Sequence, residues 1–123
     1  MIKNKNKFKK RLYSWTLNII RLTDTLPDLL SADVIGKQLM RSGTSIIANY
    51  VEAKSASSRK DYINFFTHAL KSANESKVWL TMMKDLEIGN REQTCVLLRE
   101  LDEISKILAS SIITLKNKGD KNL

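Results

Sequence analysis

Cysteine, histidine and proline occur once each in this chain, as Cys95, His68 and Pro27, and glycine four times. A lone cysteine excludes an internal disulfide and leaves no Cys cluster for zinc. A lone histidine excludes the paired Glu-x-x-His motifs with which some four-helix bundles hold two irons. No metal and no cofactor is therefore expected. The glycine patterns of nucleotide-binding loops are missing, and a Ser-His-Asp arrangement could be assembled only by choosing among scattered serines. Cys95 falls off the core stripe of its helix and has no second cysteine or nearby histidine to activate it. The residue inventory thus predicts no catalytic residue and no enzyme. Long apolar runs are also lacking, and the basic start Met1-Ile2-Lys3-Asn4-Lys5 is not followed by an uninterrupted apolar segment. These absences exclude a membrane span and a signal peptide, so the expectation is a soluble protein of the reducing cytoplasm with no membrane partner.

What the chain does have is unevenly placed charge. Residues 1–11 carry Lys3, Lys5, Lys7, Lys9, Lys10 and Arg11, a sum of +6. Residues 116–123 carry Lys116, Lys118 and Lys121 against Asp120, a sum of +2, which completes the formal net charge of +8. Residues 12–115 are therefore neutral overall, and the basicity belongs to the two tails. Such tails attract phosphate-rich partners, although solvated, frayed ends that aid solubility have the same composition.

Sparse glycine and proline also predict long helices and few turns. Phe8, Leu12, Trp15, Ile19 and Leu22 recur at helical spacing over about 7–23, and Pro27 stops that helix. A second helix follows Ser31 as N-cap, with Asp33 in its first turn, and continues to about Ala53. Its interior Gly36 and Gly43 imply close packing against a neighbour. Ser58 with Asp61, and Asn90 with Gln93, are capping pairs that open a third helix to about Glu87 and a fourth to about Lys116. Gly89 and Gly119 mark their ends. Short connections between long helices make sequential neighbours antiparallel. The expected fold is all-α, an antiparallel up-down-up-down four-helix bundle. At this length it forms one domain over 1–123, with basic tails at about 1–7 and 117–123 emerging at the same end.

Each helix has a core stripe: Tyr62, Phe65, Phe66, Ala69, Ala73, Leu80 and Met83 on the third, and Leu97, Leu98, Leu101, Ile104, Leu108, Ile112 and Leu115 on the fourth. There is apolar surplus beyond them. Tyr13, Leu17 and Ile20 form a second stripe on the first helix, as do Trp79, Met82 and Leu86 on the third, while Val96 and Ile107 lie off the stripe of the fourth. Such side stripes point to self-association, with a thick core that draws them inward as the competing explanation. A polar stripe is equally regular. Arg41, Ser45, Asn49 and Glu52 recur at intervals of four, four and three beside an apolar face, and Ser72 and Glu75 lie three apart on the next helix. This pattern fits a polar network that joins helices or subunits, and it fits an ordinary solvated face as well.

The run Gln38-Leu39-Met40-Arg41-Ser42-Gly43-Thr44-Ser45-Ile46-Ile47-Ala48-Asn49-Tyr50-Val51-Glu52 carries a recognisable pattern: a basic residue, then Ser-Ile, then Asn, then Glu. It continues through Ser58-Arg59-Lys60-Asp61-Tyr62, Phe65-Phe66, Ala69, Ser72 and Glu75. In this the chain resembles the small bacterial four-helix-bundle proteins called 23S rRNA intervening-sequence proteins. The likeness is strongest over residues 26–88. It departs at Ala53 and Lys71, where the family commonly has glycine. The resemblance implies a ring-like homopentamer of four-helix bundles with no known enzymatic activity. It also implies a kinship with accessory proteins of diversity-generating retroelements, which bind nucleic acid and a reverse transcriptase. The expectation is a homo-oligomer that binds RNA or DNA through its basic tails, with a protein–protein adaptor or scaffold as the rival.

Overall fold

The computed structural model describes the backbone of residues 5–121 and the side chains of residues 7–118. Four helices, α1 (Lys5–Asp24), α2 (Leu30–Ala53), α3 (Arg59–Asp85) and α4 (Arg91–Lys121), follow one another through connections of five residues. Each helix packs on the next and α4 returns to α1, which closes an antiparallel up-down bundle. The antiparallel order is visible across α1 and α2. Phe8 meets Tyr50, Gly43 faces Ile19, and Gly36 faces Leu26. The stripes read from the spacing of α1 are all buried, and Leu80, Met83, Leu101, Ile104 and Leu108 fill the opposite side of the same core. Burying a Leu or Phe of this kind stabilises by about 1.5–3 kcal/mol each.

Two of the expected caps form. Ser58 accepts the Asp61 backbone N–H at 3.1 Å, and Asn90 accepts that of Gln93 at 3.0 Å. The N-cap of α2 differs. The helix begins at Leu30, one residue before the expected Ser31 cap, and extended Leu29 holds the cap position without a side-chain bond. Its carbonyl accepts from Asp33 N–H at 2.9 Å. Tertiary packing sets this start. A Cβ on Gly36 or Gly89 would stand 2.9 Å from a Leu26 methyl, so Leu26 is wedged between two glycines, and its seat directs the chain into α2 before Ser31 is reached.

The end of α3 shows a second difference. The helix stops at Asp85, and Glu87 takes a left-handed conformation (φ 56°) ahead of Gly89 (φ 76°). Ile88 N–H bonds Met83 carbonyl at 2.9 Å and Glu87 N–H bonds Lys84 carbonyl at 3.2 Å, the paired closure of a Schellman motif. Buried Ile88 supplies the apolar contact that accompanies such an ending. The fourth helix also passes its expected stop, running through Gly119 to Lys121. A glycine inside a helix costs only about 1 kcal/mol, too little to end one already anchored by buried Ile112 and Leu115.

Candidate functional site

Ser45, Ser72, Asn49, Arg41 and Glu75 come together between α2 and α3. Ser45 and Ser72 hydroxyls lie 2.9 Å apart, and the Asn49 amide donates to the Ser45 carbonyl at 2.9 Å and hydroxyl at 3.0 Å. Arg41 bonds Glu75 and also donates to Gln38 Oε1 at 2.8 Å, while the Trp79 indole N–H donates to Glu75 Oε2 at 3.0 Å. Glu52 stands apart, exposed near the end of α2. A deeper pair was not singled out by the spacing. Ser42 and Ser76, both fully buried, place their hydroxyls 2.8 Å apart, and Ser76 donates onward to the Ser72 carbonyl at 2.8 Å. Their only sequence signal is that Ser42 precedes Ser45 by three and Ser76 follows Ser72 by four. The hydroxyls of this seam bond one another and backbone carbonyls, so it joins two helices. His68 is exposed and, among the described residues, bonds no serine or carboxylate. Cys95 is a free, half-buried thiol. No group of three His, Cys, Asp or Glu among the described residues could hold a metal ion.

The apolar side stripes divide. Tyr13, Met82, Leu86 and Val96 are exposed, and Leu17 and Ile20 are half-buried. Trp79 and Ile107 pack partly buried against the core. At the bundle end holding the α1–α2 connection, Leu29, Leu30 and Val34 are exposed beside the carboxylates of Asp24, Asp28 and Asp33.

The other end is basic. It gathers the start of α1, the α2–α3 connection and the end of α4. Lys7, Lys9, Lys10, Lys116 and Lys118 are exposed there. Lys3 lies outside the described residues, and Lys5 and Lys121 are described in backbone only. Arg11 is spent within the fold, because it binds Glu100 and Glu103 and so ties α1 to α4. The hydrogen bond to Glu100, aided by the charge of both carboxylates, holds its guanidinium above the usual range. Three further cations join this end through the topology: Lys54, Arg59 and Lys60 bracket the α2–α3 connection and are exposed. The Lys54 ammonium lies 5.4 Å from the centroid of the Tyr50 ring. Facing these cations are Glu52 and Asp61, the latter accepting from Ser57 Oγ at 2.6 Å. Helix N- and C-termini alternate at this end, so their dipoles largely cancel and the positive field comes from side chains.

The structure defines the class of small all-α up-down four-helix bundles, here with one basic end and exposed apolar flanks. The 23S rRNA-intervening sequence protein model matches residues 4–110, and the chain belongs to that family. No curated protein matches it. A crystal structure of a protein of unknown function from the S23 ribosomal protein family of Bacteroides thetaiotaomicron is similar. It is 39% identical with a TM-score of 0.79, over 85% of this chain and 97% of that one. Among the described residues, no helix is long and apolar enough to cross a membrane.

Proposed function

We propose that this protein is a non-enzymatic homo-oligomer that binds RNA or DNA through its basic end. The observation that carries the reading is the set of exposed cations on three separate segments at one end: Lys9 and Lys10, then Lys54, Arg59 and Lys60, then Lys116 and Lys118. None of these is ion-paired to a carboxylate among the described residues. Lysine-rich ends neutralise phosphates without reading base edges, so binding is insensitive to sequence and falls steeply with salt. Exposed Tyr13, Met82, Leu86 and Val96 support self-association, and family membership is consistent with a ring of five. Aligned copies would turn a weak single end into a multivalent one.

The test removes residues 1–6 and 119–123 and replaces Lys9, Lys10, Lys54, Arg59, Lys60, Lys116 and Lys118, all exposed, by Ala, which leaves the core from Phe8 to Leu115 intact. Affinity and salt slope for mixed RNA and DNA should both fall while the oligomeric mass is retained. Undiminished binding would move the site onto the sides of the helices. One observation favours a second reading, that of a protein–protein adaptor. Leu30 is 83% exposed and sits with Leu29 and Val34 among carboxylates at the opposite end. Intact protein that binds no nucleic acid at low salt would favour that reading.

A further inference from the structure

The rings at the basic end are turned inward. Phe8 and Tyr50 meet edge to face with centroids 5.2 Å apart, Tyr50 and Phe66 lie at 5.6 Å, and Tyr62 stacks on Phe66 at 5.0 Å. Phe8, Tyr50 and Phe66 are buried, and Tyr62 and Phe65 pack partly buried against the same core. Tyr13 is exposed, but it lies along the side of α1 near Leu17 and Ile20. The end therefore offers cations and hydroxyls, with its aromatic faces already committed to one another.

That division matters because the two forms of nucleic acid need different surfaces. Proteins that hold single strands combine a positive groove with exposed rings, and each stacked base contributes about 1–3 kcal/mol. A surface without those rings draws its affinity from phosphate charge alone. A duplex carries one charge per about 1.7 Å of axis, roughly twice the density of one strand, and releases more condensed counterions per neutralised phosphate. Lys54 flanks the end of α2, and Arg59 and Lys60 form the first turn of α3, so three of the cations sit on a short, helix-bounded connection. Cations held in this way suit a stiff phosphate lattice better than a flexible strand.

We infer that the basic end selects double-stranded nucleic acid, with Lys54, Arg59 and Lys60 contacting phosphates across the duplex backbone. The inference rests on the nucleic-acid reading proposed above. Fluorescence anisotropy of the full-length protein against a hairpin RNA, and against polyuridine with the same number of phosphates, tests it. The hairpin should bind at least about tenfold tighter at low salt. The variant Lys54→Ala/Arg59→Ala/Lys60→Ala, altered only at exposed positions, should lower the hairpin salt slope by about three. Equal or tighter binding of polyuridine would overturn duplex selection while leaving the proposed function standing. An unchanged salt slope in the triple variant would overturn the role given to the three cations. Failure of both probes to bind the intact protein would overturn the underlying reading together with this inference.

Discussion

The two lateral joints of the bundle are built on opposite principles. Between α2 and α3 the contact is the most extensive in the molecule and is made by short side chains: Ser42, Ala69, Ala73 and Ser76 are buried, and the serines satisfy one another. Between α1 and α4 the contact is the least extensive and relies on long side chains. Trp15 is buried with its indole N–H on the Leu97 carbonyl at 3.0 Å, and Arg11 reaches Glu100 and Glu103 near the surface. The α1–α4 side also leaves Val96 exposed, beside Asn18 and Arg21 of α1. The first joint is complete within one chain, whereas the second keeps apolar surface that another molecule could cover. The tight joint is closed by hydroxyls that bond across it, and the looser one by two long side chains.

Breaking the loose joint should have the largest effect. Trp15→Ala removes the biggest fully buried side chain and should cost about 3–5 kcal/mol, read as a fall in the denaturant midpoint. Trp15→Phe keeps a ring but loses the indole bond to the Leu97 carbonyl, so it should cost less, and the gap between the two variants divides packing from hydrogen bonding.

The tight joint should respond more mildly and non-additively. Ser42→Ala or Ser76→Ala alone removes the bond between the two hydroxyls while the survivor keeps a backbone carbonyl, Ser72 for Ser76 and Leu39 for Ser42, a loss of about 0.5–1.5 kcal/mol. The double variant removes both hydroxyls of the pair and should cost less than the sum of the singles. Additive losses would mean that the two hydroxyls act independently and that the seam does not set register. The smallest change should come from Arg11→Ala. Its guanidinium and the Glu100 side chain are each about one-third exposed (35% and 31%), so water screens the pair and the loss should stay within about 1 kcal/mol.

Much of this contrast lies beyond what residue spacing encodes. The stripes of α1 and α4, the Ser58 and Asn90 caps and the close approach at Gly43 were legible, because each depends on periodicity or local backbone chemistry. The polar stripe of α2 was legible as a stripe, but its partners depend on how α3 is rotated against it, which no single helix specifies. For the same reason the Ser42–Ser76 pair was invisible, and Trp79 read as a flank residue although it packs on the core. Arg11 counted as a tail cation until α4 brought two carboxylates to it. Lys54, Arg59 and Lys60 looked like part of a neutral middle, and only the folding of the α2–α3 connection places them beside the chain ends. The early start of α2 followed from Leu26 packing against two glycines remote from the cap.

The most direct test of an α1–α4 side completed by further copies is the mass in solution, measured by light scattering coupled to size exclusion. The intact protein should elute as an oligomer, five subunits if it forms the ring that its family resemblance implies. Val96→Glu, which sets a carboxylate on that exposed flank, should shift it toward the monomer while helicity is kept. A monomer mass for the intact protein across micromolar concentrations would contradict the account, as would an oligomer untouched by Val96→Glu.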